Sequence, residues 1–98
     1  MYLGIDVGTQ SVKALLYDAG NRRVAAVRST PLELISDAAG TREQLANWWL
    51  QGLEDCLAGF DTVALAAVRA VAVSGQQHGF VPLAADGEVL APVKLWCD

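Results

Sequence analysis

Cysteine is scarce in these 98 residues: Cys56 and Cys97 are the whole supply, and there is one histidine. Two thiols cannot form the disulfide framework that supports small secreted domains, and their positions give no metal-ligand spacing. A reducing, cytoplasmic setting without zinc is therefore expected. Basic residues are also few, seven against eleven acidic ones for a net charge of −4, and they are scattered. That pattern argues against a phosphate-tracking nucleic-acid surface. No hydrophobic run approaches the roughly 18 residues of a membrane-spanning helix. The opening Met1-Tyr-Leu-Gly-Ile-Asp6 lacks the basic segment of an export signal. A soluble, unexported chain with no membrane partner is expected. Repeats and low-complexity tracts are absent. What is present is apolar, 53% hydrophobic against 18% charged, which is the profile of a packed core. The length allows one domain at most, so two complete domains with a cleft between them do not fit.

Tyr2 to Asp6 and Val12 to Asp18 read as strands, each a short apolar run with β-branched and aromatic members. Ala19-Gly20-Asn21 is a hairpin turn signal, and Arg22 to Thr30 reads as a third antiparallel strand that Pro31 ends, having no N–H to donate. A loop follows through Gly40. Thr41-Arg-Glu-Gln44 has the pattern of a capping box. After it Leu45, Trp48, Trp49, Leu53, Cys56 and Leu57 recur at helical spacing, one apolar face about three turns long. The tryptophan pair is assigned to helix-on-sheet packing rather than to a sugar-stacking platform, and Cys56 to the core. Thr62 to Val68 is a short helix or a turn. Ala70 to Ser74 is wholly apolar, as in a strand covered on both faces. Phe80 to Leu83, an Asp86-Gly87 turn and Leu90 to Trp96 suggest a further hairpin.

Two segments carry chemistry. The turn in Gly4-Ile-Asp-Val-Gly-Thr-Gln-Ser-Val-Lys13 can offer backbone N–H groups and the Thr9 and Ser11 hydroxyls to a phosphate. Gly8 permits close approach, Lys13 adds positive charge, and Asp6 can hold a hydrated Mg²⁺. It is not a Walker A loop, which would end in Gly-Lys-Ser/Thr before a helix. An ordinary hairpin using Gly8 for its conformational freedom is the plain alternative. Gly75-Gln-Gln-His-Gly79 places amides and an imidazole between two glycines, donors and acceptors suited to sugar hydroxyls. His78 has no nucleophile partner, so it is read as a contact rather than part of a triad, while Gln76 either meets a ligand or satisfies the turn. Trp96 and Asp98, at the end of Lys94-Leu-Trp-Cys-Asp98, could line a sugar site or simply pack.

Together "YLGIDVGTQSVKALLYD", the "NWW" helix and "VAVSGQQHGFVPLAADGEVLAPVKLWCD" resemble the amino-terminal portion of the FGGY family of carbohydrate kinases, its xylulokinase members most. The resemblance covers the whole chain. The Asp-x-Gly-Thr turn is shared with actin and chaperone ATPases, whereas the Ser-Gly-Gln-x-His-Gly loop followed by Leu-Trp-x-Asp is far more specific. It implies an α/β, ribonuclease-H-like fold in which the meander pairs with the strand at Ala70 and helices cover both faces. It implies ATP and Mg²⁺ as cofactors and a ketopentose as substrate, D-xylulose before D-ribulose or L-xylulose. By carry-over, Asp6 organises Mg²⁺ and phosphate; Gly8, Thr9, Gln10, Ser11 and Lys13 form the first phosphate loop; and Gln76, Gln77, His78, Trp96 and Asp98 line the sugar side. Xylulokinases commonly carry Met where Gln77 stands and Asn where Cys97 stands. The family's catalytic base, second phosphate loop and adenosine pocket belong to downstream segments, so these residues alone are expected to be an inactive part of the first domain. The nucleotide-binding domain of the same kinase would then be the partner, with a homodimer left open. A metal-dependent nuclease would need converging carboxylates that the sequence lacks. A filament or chaperone ATPase would not explain the Gly75 to Gly79 loop, and a non-catalytic sugar-binding or interaction fragment is the remaining rival.

Overall fold

Side-chain alternation decides the first two strands. In a computed structural model, which describes residues 1–98, β1 (Tyr2–Val7) and β2 (Ser11–Asp18) run antiparallel. Leu3, Ile5, Val12, Ala14 and Leu16 are buried on one face, while Tyr2, Asp6, Lys13 and Tyr17 lie exposed on the other. The period of two fixes this register, because a slip of one residue would move the whole apolar set to the wrong side. Asp18 closes the turn after β2 by accepting from the Asn21 N–H and side-chain amide, which hold its carboxyl below the ordinary value. β3 (Arg23–Pro31) completes the meander with a bulge opposite Leu16/Tyr17.

The helix starts later than the sequence pattern suggests. Arg42–Gln44 is strand β5, paired with β4 (Ile35–Ser36) on one side and β7 (Val93–Lys94) on the other. α1 (Ala46–Ala58) therefore begins after Leu45, which makes no side-chain cap bond, and the expected capping box does not form. Its would-be partner Gln44 is fully buried instead. α1 lays Leu53, Cys56 and Leu57 on the buried face of the sheet. The approach is close: an added Cβ on Gly52 would stand 3.0 Å from Val12 Cγ2. At the far end Arg28 of β3 donates to the Gly59 carbonyl (3.1 Å) and lies over the Phe60 ring. α2 (Thr62–Ala66) is a helix, with the Asp61 carboxylate capping the Ala64 N–H at 3.0 Å.

β6 (Ala70–Gly75) pairs parallel to β1, giving the order β3-β2-β1-β6. Its apolar composition suggested an interior strand covered on both faces. Within these residues it is an edge strand exposed along its length, and only one face of the sheet carries helices. The expected final hairpin is reduced to isolated bridges, Phe80 with Lys94 and Leu83 with Val89. Pro82 and Pro92 have no N–H to give, which keeps the pairing from becoming a regular ladder. No helix is long and apolar enough to cross a membrane.

Candidate functional site

Parallel pairing of β6 with β1 sends both strands out of the sheet at the same end. The β1–β2 turn and the loop after β6 consequently emerge side by side, and the Gln76 N–H donates to the Val7 carbonyl at 2.9 Å. In the β1–β2 turn the Gly8 N–H donates to the Ser11 carbonyl (2.9 Å), and a Cβ on Gly8 would lie 3.2 Å from that same oxygen. Glycine is what lets the turn close. The Gln10 carbonyl accepts from Leu32 (2.9 Å), whereas the Thr9 and Gln10 N–H groups have no acceptor within the chain. Two adjacent donors thus stand unpaired at the tip of a tight turn, the arrangement that receives an anion.

Asp6 stands opposite Lys13 on β2 and Ser74 on β6, and all three line the sheet face away from α1. Its exposed carboxylate enters neither ion pair of the chain, both of which belong to Lys94. No cluster of three metal-ligating side chains exists. A lone, unengaged carboxylate fits Mg²⁺, which keeps most of its waters, and does not fit a metal needing a full protein cage. The residues present are therefore suited to a magnesium–phosphate group, with Asp6 as the carboxylate and the Thr9 and Gln10 N–H groups as donors.

On the other loop, Gln76 does not project as a free amide. Its Nε2 donates to the Gly8 carbonyl and to Gln44 Oε1, both at 3.3 Å, and its Oε1 accepts from the Thr9 hydroxyl at 3.2 Å. Thr9 Oγ1 in turn accepts from Trp96 Nε1 at 3.3 Å. Gly75, Gln76, Gln77 and Trp96 line one shallow depression of about 360 Å³. Gln77 and His78 are exposed, and His78 holds φ at +60°, a left-handed conformation that costs a residue with a Cβ about 1–2 kcal/mol. Asp98 lies to the side, its carboxylate accepting from the Arg42 N–H (3.1 Å) and 3.9 Å from Lys94 Nζ. Lys94 is held above its ordinary pKa by the Glu43 carboxylate beside it. The structure thus brings Thr9, Gln76, Gln77 and Trp96 together, sets Asp6 and Lys13 on the adjoining sheet face, and ties Asp98 to β5.

One residue joins these parts that the sequence pattern assigned to a helix cap rather than to the site. Gln44, fully buried, donates through Nε2 to the Thr9 carbonyl (2.7 Å) and the Glu33 carbonyl (2.9 Å). It accepts at Oε1 from Trp49 Nε1 (2.9 Å) and from Gln76. Glutamine before an apolar helix reads as a cap, and only the pairing of β5 with β7 reveals otherwise.

A mixed β3-β2-β1-β6 sheet with a glycine turn between its first strands defines a ribonuclease-H-like domain of the sugar-kinase superfamily. Residues 1–98 match the N-terminal domain of the FGGY family of carbohydrate kinases, and the chain belongs to that family. The xylulose kinase of Haemophilus influenzae is 38% identical over 109 residues, covering all of this chain and 21% of that protein. The xylulose kinase of Streptomyces coelicolor is 40% identical over 98 residues, covering all of this chain and 20% of that one. A xyloylose kinase from Brucella ovis superposes with a TM-score of 0.92 at 31% identity, over 99% of this chain and 20% of its own. The chain spans about one-fifth of the length of these relatives.

Proposed function

We propose that the protein carrying this chain transfers the γ-phosphoryl group of ATP to a hydroxyl of a ketopentose, D-xylulose first, giving D-xylulose 5-phosphate. The observation that carries this reading is the bonded contact between a turn with two unpaired N–H donors and a polar Gly-Gln-Gln-His-Gly loop. With phosphate on the turn and sugar on the loop, donor and acceptor would lie side by side, as transfer between them requires. The xylulose kinases among its relatives support the choice of sugar. In this reading the Thr9 and Gln10 N–H groups bind phosphate oxygens and Lys13 adds positive charge beside them. Gln77 and His78 meet sugar hydroxyls, with Trp96 as an apolar wall. Bound Mg²⁺, held near Asp6, would supply neutralising charge on the phosphates. The base that takes the sugar proton and the adenosine pocket lie outside these residues, in the rest of the first domain and in a second, nucleotide-binding one, so the 98 residues alone are inactive. The test is ADP release by the natural-length protein with MgATP and a panel of D-xylulose, D-ribulose, L-xylulose, glycerol and no sugar. Release that depends on D-xylulose supports the proposal. Release driven better by another pentulose renames the substrate, and release independent of sugar, or none from a folded protein, overturns it.

A further inference from the structure

Gln44 is 0% exposed, and each of its two amide hydrogens and both sides of its carbonyl have a partner: Thr9, Glu33, Trp49 and Gln76. We propose that Gln44 is a positioning residue that holds the phosphate turn and the sugar loop in one fixed relation. It grips the turn through the Thr9 carbonyl and the loop through Gln76. This proposal rests on the kinase reading for its catalytic consequence and on geometry for its mechanical one.

The amide cannot rotate freely. A flip would put the carbonyl against the Thr9 and Glu33 carbonyls and the NH₂ against the Trp49 and Gln76 donors, so all four bonds would be lost. Its orientation therefore fixes which way Gln76 Nε2 must face, and Gln76 Oε1 is left to take the Thr9 hydroxyl. Trp49, bonded to Gln44 Oε1, also lies beside Gly79, where an added Cβ would stand 4.0 Å from Cη2. Thus one buried side chain at the end of β5 is bonded to both the phosphate turn, through Thr9, and the sugar loop, through Gln76. Donor and acceptor substrates bound on the two loops would inherit that spacing, to which transfer rates are steeply sensitive.

The test compares Gln44→Met, close in length but unable to bond to any of the four partners, with Phe60→Leu, a core change at the other end of α1. In the natural-length protein Gln44→Met should lower kcat/KM for MgATP and for pentulose together, by roughly tenfold to a hundredfold. Phe60→Leu should lower the melting temperature and leave both constants in place. Hydrogen exchange in Gln44→Met should quicken in both loops, residues 8–11 and 76–79, whether or not the protein proves to be a kinase. If no sugar-dependent ADP release is found, the kinase reading falls and exchange alone decides for or against Gln44. Should Gln44→Met fail to fold, Trp49→Phe, which removes one of the four bonds, carries the test with the same pattern at about fivefold. Unchanged kinetics in a folded variant of an active kinase, or quickened exchange in only one loop, overturns the proposal.

Discussion

At Gly52 a single hydrogen sets how closely α1 lies on the sheet. Alanine is the better helix former by about 1 kcal/mol, so on propensity alone Gly52→Ala should stabilise. The added Cβ, however, would meet Val12 Cγ2 at 3.0 Å and Val12 Cβ at 3.3 Å. Val12 is fully buried and β-branched, with little rotamer freedom to yield, and its carbonyl already holds the Cys56 thiol. Overpacking of this kind costs about 1–3 kcal/mol, which outweighs the gain in propensity. Gly52→Ala is expected to destabilise the natural-length protein by about 1 kcal/mol net in urea titration. A raised midpoint would show that α1 can lift away from β2 at no cost.

At the scale of the element, α1 lacks the side-chain cap that most helices of its length carry. Leu45 occupies the N-cap position with extended backbone angles, is 38% exposed, and bonds to none of the free N–H groups behind it. There is also no acidic residue in the first turn. Leu45→Asp would supply both a cap acceptor and a charge favourable to the helix N-terminus, worth about 0.5–2 kcal/mol. The expected result is a higher denaturation midpoint, and a fall would mean that Leu45, which lines one depression with Val89 and Leu90, contributes more there than a cap returns. The apolar stripe of α1 was legible in sequence because packing against a sheet demands a 3.6-residue period, and Leu53, Cys56 and Leu57 keep it. The first three strands were legible for the analogous reason, an alternation of two that Leu3, Ile5, Val12, Ala14 and Leu16 obey. The start of α1 was not, because Gln44 fits a capping pattern locally, and only distant residues, Val93 and Thr9, draw it into a strand and a buried network. Likewise the composition of β6 announced an apolar strand but not its neighbours, since period and hydrophobicity say nothing of which side of a strand is paired. Of the site, the two loops were visible as glycine-bounded polar runs, and the side-chain bonds that join them were not, because they link residues 67 and 68 apart.

For the whole molecule, shape and surface point the same way. The radius of gyration is 15.5 Å and the longest extent 49 Å, against about 13 Å for a rounded domain of 100 residues. Only 11 of 98 residues are buried, so the chain has less interior than its composition calls for. Part of the deficit lies on β6, where Val71 and Val73 are 55% and 69% exposed beside an unpaired strand edge. An open apolar edge of this kind pairs with whatever strand it meets. In relatives five times as long, further chain is available to cover it; in the isolated 98 residues only another copy is. The isolated chain is therefore expected to self-associate at micromolar concentration despite its net charge of −4, as read by sedimentation velocity. Val73→Lys should shift it toward monomer by placing a charge on the edge strand. In the natural-length protein the same substitution should instead lower the melting temperature, because there the lysine would have to be buried without a partner. A monomeric unsubstituted 98-residue chain would show that the edge is closed by the chain itself, and an unaffected natural-length protein would show that β6 remains exposed in it.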